Sequence, residues 1–241
     1  MIDDGEMIFC ILLRSISGEV KSVFMQQQDW MVGDDGVCLP CKSPRQWDLI
    51  TETENYRFHR FLTDIEDVVV KAESEGRSET EFLPDLRRLV RKLLLNCHWV
   101  SGKLADPDER SGYSFLMLYD EPGLPITIQT EVTLPGHETP IHNHGTWGII
   151  ATVKGQQKHT FWKRVPTAEF PGKIEAIGDR ILQADDIISF TTDAIHRVEA
   201  VASGALSASG DEPSITLNLY GDTFGFKRFQ FDAVTHQAVN F

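Results

Sequence analysis

Cysteines, basic residues and long apolar runs are scarce in this sequence, and each shortage excludes a class of protein. Four cysteines among 241 residues are too few to staple a secreted disulfide fold, so a reduced, cytoplasmic protein is expected. With 23 Lys and Arg against 36 Asp and Glu, the net charge of −13 opposes binding to nucleic acid. No apolar run reaches the roughly 18 residues of a membrane span, and the acidic start is unlike a secretory leader. The composition therefore predicts a soluble globular chain without nucleic-acid or membrane partners.

Residues 1–45 show no clean hydrophobic period and are predicted to form an N-terminal arm or a poorly ordered tail. Within them, Cys38 and Cys41 have the CxxC spacing of redox and zinc sites. A zinc site needs two more ligands, and the sequence has no second pair of this kind. Ordinary thiols are therefore the favoured interpretation of both cysteines.

A helical period follows over residues 46–105, which are predicted to form a helical segment that packs on the rest of the protein. One apolar stripe recurs at the spacing of a helix face: Phe58, Phe61, Leu62, Ile65 and Val69. After a break at Gly76, Ser78 and Glu81 have the spacing of a capping box, and a second stripe begins at Phe82. Two amphipathic helices with a packing role are therefore predicted.

From residue 106 to 241 the hydrophobic period becomes two, which is typical of strands. Ile126, Ile128 and Val132 alternate with Gln129 and Glu131, the pattern of a half-buried strand. Further short strands are predicted at 147–153, 159–165, 181–183, 187–190, 195–201, 214–220 and 226–231. Many short strands separated by turns every 8–12 residues or so predict a β-sandwich or barrel.

Five of the eight histidines lie between residues 137 and 196, which marks this part of the chain as a candidate metal site. On a strand, His142 and His144 point to the same face because they are two residues apart. His196 follows about 50 residues later, on another predicted strand, and neutral imidazole is the commonest metal ligand. The alternative is that hydrogen bonds within a polar barrel satisfy these three side chains. His137 and His159 could support the metal ligands from behind, but a surface position is the favoured interpretation of both.

The histidine motifs resemble those of the cupins, in which a double-stranded β-helix holds a metal. Gly136, His142, His144 and Gly155 match the first cupin motif, and His196 matches the histidine of the second. A finer resemblance, over roughly residues 80–241, is to the thiol dioxygenases, the cysteine and 3-mercaptopropionate dioxygenase family. Three stretches carry it: 142–148 (His-Asn-His-Gly-Thr-Trp-Gly), 194–198 (Ala-Ile-His-Arg-Val) and 214–221 (Ser-Ile-Thr-Leu-Asn-Leu-Tyr-Gly).

This resemblance implies a mainly β fold, a cupin jelly-roll barrel over 106–241 preceded by the helical segment. Gly148 stands where the general cupin pattern has a glutamate ligand, and the loss of that ligand is a feature of the thiol dioxygenases. The resemblance therefore implies Fe(II) held by His142, His144 and His196, although imidazoles also accept Ni or Zn. It implies a reaction that adds both atoms of O2 to a small thiol and yields a sulfinate. A monomer or homodimer is expected.

The same resemblance assigns candidate residues around the metal. Tyr220 matches the family's catalytic tyrosine, and Thr216 and Asn218 stand where the family has serine and histidine on the same strand. Arg228 lies near an arginine of the mercaptopropionate enzymes, and these residues are candidate substrate contacts. Trp147 is a further candidate, although core packing is its favoured role.

Two departures from the family keep other functions open. Asn218 cannot titrate as a histidine would. The family's carboxylate-binding residue would fall near Ser114 or Phe115, and neither side chain can clamp a carboxylate. The alternatives are a metal-binding cupin without turnover, acting as a binding or sensory module, and a cupin enzyme of different chemistry.

Overall fold

The computed structural model describes residues 28–42, 56–96, 102–108, 110–121, 125–201, 212–222 and 225–241, which are mainly β. The elements in chain order are β1 (Asp29–Val32), β2 (Cys38–Cys41), α1 (Phe58–Glu75), α2 (Glu79–Asn96), β3 (Tyr113–Asp120), β4 (Ile126–Thr133), β5 (Ile141–Asn143), β6 (Gly148–Lys154), β7 (Gln156–Arg164), β8 (Ile174–Gln183), β9 (Ile187–Phe190), β10 (Ile195–Ala200), β11 (Ser214–Gly221), β12 (Phe229–Asp232) and β13 (Gln237–Asn240). None of these helices is long and apolar enough to cross a bilayer.

The strands form two sheets whose order defines the fold. One sheet has seven strands in the order β2-β1-β9-β6-β11-β4-β3, and the other has six in the order β13-β12-β5-β10-β7-β8. Strands β4 to β11 contribute four neighbours to each sheet, β9-β6-β11-β4 and β5-β10-β7-β8, which is the jelly-roll arrangement of two Greek keys. The predicted double-stranded β-helix barrel is therefore confirmed. The strand predicted at 226–231 begins only at Phe229, because a 3-10 turn occupies Gly225–Lys227.

The two helices cover the outer face of the seven-stranded sheet. Helix α1 ends at Gly76 in the left-handed conformation (φ 65°), and the carboxylate of Glu81 accepts the backbone N–H of Ser78 at the start of α2. The shared core joins the helix stripes to one face of β4, β6 and β11: Phe61, Ile65, Leu83 and Leu86 with Ile128, Ile149, Leu217 and Leu219. Because apolar residues on these strands face the helices, the alternating residues face the barrel interior.

The prediction of an arm over residues 1–45 is wrong for residues 29–41, which belong to the seven-stranded sheet. Strand β1 pairs in parallel with β9, and β2 pairs with β1. Strands of four residues are too short to show a period, which explains why the pattern did not reveal them. Residues 1–27 and 43–45 lie outside the described residues. Burial raises the pKa of Cys38 to about 11, in agreement with an ordinary rather than a reactive thiol.

A buried ion pair fixes β1 to helix α2. The Asp29 carboxylate lies 3.6 Å from Nε of Arg87, whose side chain is fully buried, and it also pairs with Arg91. Arg87 donates a further hydrogen bond to Ser189 on β9 (2.6 Å). The Asp29 carboxylate therefore joins helix α2 to the face of the sheet that points away from the barrel interior.

Replacing Asp29 with alanine is expected to lower the free energy of unfolding by about 3–5 kcal/mol, because the buried Arg87 guanidinium loses its carboxylate. Urea denaturation of the full chain measures this change. Asp67→Ala, at an exposed position of α1, serves as the control and should change stability by less than about 0.5 kcal/mol. Equal effects of the two substitutions would show that the ion pair does not fix β1.

Candidate metal centre

The pairing of β5 with β10 brings three histidines together inside the barrel. His142 and His196 are direct cross-strand partners in this antiparallel pair. His144 follows the end of β5 and shares the inward face with His142 because the two are two residues apart. The imidazole ring centroids lie 4.7–5.0 Å apart, and one ring nitrogen of each lies within 4.8 Å of the others.

The spacing and charge state of these imidazoles fit a metal ion. Nε2 of His144 and Nε2 of His196 are 2.9 Å apart. Two nitrogens that each lie about 2.1 Å from a metal at a right angle would be about 3 Å apart. Burial lowers the pKa of all three histidines, most strongly those of His144 and His196, so the rings are neutral and offer lone pairs. The chemistry of the donor set therefore suits a divalent transition metal.

Hydrogen bonds on the far side of two rings fix their orientation. Nδ1 of His142 donates to the carbonyl of Pro140 (2.8 Å), so its Nε2 carries the free lone pair. Nδ1 of His196 lies 3.3 Å from Nδ1 of His159, and Nε2 of His159 lies 3.3 Å from Oε1 of Gln157. These contacts hold the imidazoles before any ion arrives.

The surface interpretation of His159 is wrong. Its side chain is fully buried, and burial lowers its pKa to about 3. On β7 the inward residues are Gln157, His159 and Phe161. Because alternate residues on a strand share a face and Phe161 is apolar, the sequence itself indicates that His159 faces the interior. His137, by contrast, is half-buried and packs against Gly112, away from the three histidines.

Gly148 excludes a fourth, carboxylate ligand from the position where cupins usually have one. Gly148 on β6 is the cross-strand partner of Tyr220 on β11. A Cβ atom at position 148 would lie 2.9 Å from the Tyr220 ring, so the ring occupies the space that a side chain there would need. The Tyr220 ring in turn stacks on His144, with centroids 4.6 Å apart. Burial and the nearby Glu131 carboxylate raise the pKa of Tyr220 well above its ordinary value, which keeps the hydroxyl protonated.

A cavity of about 370 Å³ opens onto the three histidines. Residues from both sheets line it, and the polar and charged ones are Asp120, Thr127, Gln129, Glu131, Thr139, His142, His144, His196, Tyr220, Asp222 and Arg228. Within the described residues the Arg228 guanidinium forms no ion pair; its Nε is buried without a hydrogen-bond partner, and its Cζ lies 4.5 Å above the Phe241 ring. A cation without a counter-ion beside neutral imidazoles is suited to hold an anion.

Three of the predicted substrate contacts do not line this cavity. Trp147 packs edge-on against Phe82 of helix α2 (centroids 5.8 Å apart) and belongs to the core between helices and sheet. Thr216 and Asn218 are fully buried deeper in the barrel on β11. Asn218 donates a hydrogen bond to Glu131, which does line the cavity, and the role of these residues as substrate contacts stays a prediction.

The pattern on β4 was visible in the sequence, but its polar face was not recognised as part of the site. Ile126 and Ile128 lie in the core under the helices, whereas Gln129 and Glu131 line the cavity. A half-buried strand is usually read with its polar face in water. The two amphipathic helices indicate the opposite orientation for β4. Their apolar faces must pack on the apolar face of a sheet, so the polar face of β4 is the one that points into the barrel.

Comparisons with known proteins extend over only part of the chain. No protein-family model matches it. An oxalate oxidase in complex with the substrate analogue glycolate is 12% identical, with a TM-score of 0.36 over 51% of this chain and 57% of that one. The Lactobacillus farciminis oxalate decarboxylase formate complex is 19% identical, with a TM-score of 0.36 over 49% of this chain and 31% of that one. A cupin superfamily protein from Desulfitobacterium hafniense is 11% identical, with a TM-score of 0.35 over 51% of this chain and 86% of that one. The chain spans just over half the length of the oxalate oxidase, and the fold assignment rests on the strand order above.

Single replacement of His142, His144 or His196 with alanine is expected to abolish stoichiometric binding of iron(II), because two imidazoles are too few ligands for a stable site. Metal content after loading and gel filtration measures this, and far-ultraviolet circular dichroism checks that the barrel persists. His59→Ala, at an exposed position of α1, is the control and should bind metal as the wild type does. Full occupancy in any of the three variants would contradict the assignment.

His159→Phe is expected to weaken metal affinity by about 10–100-fold, because His196 loses the partner that orients its ring. Competition with a chelator of known affinity measures the change. Phenylalanine keeps the buried volume, so the variant should still fold. Unchanged affinity would mean that His196 is positioned by β10 alone.

Proposed function

We propose that this chain is a non-haem iron(II) dioxygenase that oxidises a small anionic thiol to a sulfinate. The observation that carries the proposal is a donor set of three neutral imidazoles, placed beside an arginine that forms no ion pair with any described residue. Iron(II) held by His142, His144 and His196 would supply the redox chemistry that joins O2 to sulfur. A neutral ligand set favours an anionic thiolate, because none of the three ligands carries a negative charge that would offset the charge of the ion.

Arg228 would bind the acidic group of the substrate. Its guanidinium lines the cavity that opens onto the three histidines, and a carboxylate there would gain charge-assisted hydrogen bonds. The protonated Tyr220 hydroxyl would donate a hydrogen bond toward the reacting atoms, since its ring is held against His144.

The overall reaction balances without a further co-substrate. A thiol and one O2 give a sulfinic acid; two sulfur–oxygen bonds form, the O–O bond breaks, and the sulfur proton is retained in the product or released to water. Sulfur loses four electrons and the two oxygen atoms gain four. A reductant such as an oxo-acid or nicotinamide is therefore not required by the proposal.

The second candidate is a metal-binding cupin without turnover. Asn218 occupies the position of the family's titratable histidine, and Phe115 lines the cavity where the family has a carboxylate-binding side chain. These two substitutions favour a binding or sensory role, or a different chemistry at the same metal. The test below separates the candidates.

Iron-loaded protein is expected to consume one O2 per thiol with 3-mercaptopropionate or cysteine, measured with an oxygen electrode and by mass spectrometry of the sulfinate. Arg228→Met should raise KM for 3-mercaptopropionate by about 10–100-fold, the effect of losing a hydrogen bond to a charged group. Cysteamine, which has no carboxylate, is the matched control substrate and should respond little to this substitution. Full metal occupancy without oxygen uptake from any thiol would favour the binding module.

A further inference from the structure

Asn143 lies between the first two histidines of the metal centre, but its side chain points elsewhere. Residues on a strand alternate between faces, so Asn143 points away from the inward face that the two imidazoles share. Its side chain is fully buried and hydrogen-bonds the segment that leads into β12. Oδ1 accepts the backbone N–H of Phe229 (2.8 Å), and Nδ2 donates to the backbone carbonyl of Lys227 (3.1 Å). One amide therefore binds the residues on both sides of Arg228.

The pairing of β12 with β5 sets Arg228 beside the metal centre. Gln230 on β12 is the cross-strand partner of His142 on β5. Because the strands are antiparallel, the same register continued by two residues places Arg228 opposite His144. The Arg228 side chain lines the cavity that opens onto the three histidines, in agreement with this placement.

Gly145 lets the segment that carries Arg228 approach the histidine motif closely. A Cβ atom at position 145 would lie 2.8 Å from the backbone carbonyl carbon of Lys227, which is too close for any side chain. The glycine also has a left-handed backbone (φ 67°), a conformation that other residues rarely adopt. Both residues that flank His144 in the sequence therefore contact the segment on which Arg228 lies.

Arg228 is held from the side of β13 as well. Its backbone carbonyl accepts the backbone N–H of Phe241 (3.2 Å) and Nδ2 of Asn240 (2.7 Å). Its guanidinium carbon lies 4.5 Å above the Phe241 ring, and that ring is edge-on to the imidazole of His142 (centroids 6.4 Å apart). Because the backbone and the guanidinium both have fixed partners, the cation has a defined place relative to the imidazoles.

We propose that Asn143 and Gly145 are positioning residues that fix the distance from the Arg228 guanidinium to the three-histidine centre, and that this distance selects thiol acids by chain length. The selection of substrate rests on the proposed function, whereas the placement of Arg228 does not. Each added methylene group moves the sulfur of a thiol acid further from its carboxylate. A cation at a fixed distance therefore lets only one homologue reach the metal with its thiolate.

Binding of a homologous series to zinc-loaded protein tests the selection without turnover, because zinc has no redox chemistry. The probes are mercaptoacetate, 3-mercaptopropionate and 4-mercaptobutyrate, and isothermal titration calorimetry without oxygen measures their dissociation constants. The wild type should bind one of the three about 10-fold more tightly than the other two, the effect of one lost contact to a charged group. Equal affinities for the three acids, or no binding of any, would overturn the selection by chain length.

Two variants test the positioning role. Asn143→Leu keeps the side-chain volume without the hydrogen bonds, and Gly145→Ala displaces the segment at Lys227. Each should raise the dissociation constant of the preferred acid by about 10-fold and reduce its preference over the homologues to below about 3-fold. Zinc stoichiometry and the affinity for cysteamine, which has no carboxylate for Arg228, should stay as in the wild type.

Thr130→Val is the matched control. It removes a buried hydroxyl that donates to the backbone carbonyl of Lys103 (2.6 Å), and Thr130 does not line the cavity. This variant should bind all four thiols as the wild type does. Wild-type preference in a folded Asn143→Leu or Gly145→Ala protein would overturn the positioning role, as would an equal loss of affinity for cysteamine. If Asn143→Leu does not fold, Gly145→Ala decides.

A double variant shows whether Asn143 acts through Arg228. Arg228→Met already removes the cation, so adding Asn143→Leu to it should weaken binding of the preferred acid by less than about 3-fold more. A further loss as large as that of Asn143→Leu alone would mean that Asn143 acts by another route, and it would overturn the proposal.

The proposed function and the positioning role fail separately. If the binding pattern above is found but no thiol supports oxygen uptake, thiol oxidation fails and the placement of Arg228 stands. If oxygen uptake depends on Arg228 while Asn143→Leu binds the acids as the wild type does, only the positioning role fails.

Discussion

The register between β5 and β10 is the constraint on which the site depends. It sets His142 directly opposite His196, and the two-residue spacing to His144 then places a third imidazole on the same inward face. Burial lowers the pKa of each ring, and the neighbouring histidines lower the pKa of His144 and His196 further, so the rings stay neutral. A divalent cation at this position would satisfy three inward lone pairs that hydrogen bonds within the protein satisfy only in part.

The helices explain why so polar a barrel interior is stable. Packing α1 and α2 on the outer face of the seven-stranded sheet buries the apolar residues of β4, β6 and β11 there. The inward face of the same strands is then free to carry Tyr220, Asn218 and Glu131, and Gly148 gives the Tyr220 ring its space. A bare barrel would need its apolar residues inside and would leave no room for such a network.

Much of the fold was predictable because its signals are local. The first helix stripe ends at Gly76 and the second begins at the Ser78–Glu81 capping pair, and the histidine motifs fall at strand spacings. What could not be predicted depends on pairing between distant segments: β1 is too short to show a period and is fixed by its partner β9 and by the Asp29–Arg87 pair. Glu131 was missed for a related reason, since a polar residue on a strand has the same local pattern whether it faces water or a cavity.

The most direct test of the metal assignment is a crystal structure of the iron-loaded protein with anomalous scattering at the iron edge. We expect a single ion bound about 2.1 Å from one ring nitrogen each of His142, His144 and His196, through Nε2 in His142, with no protein carboxylate among its ligands. An ion coordinated by Glu131, or located away from these three imidazoles, would contradict the account.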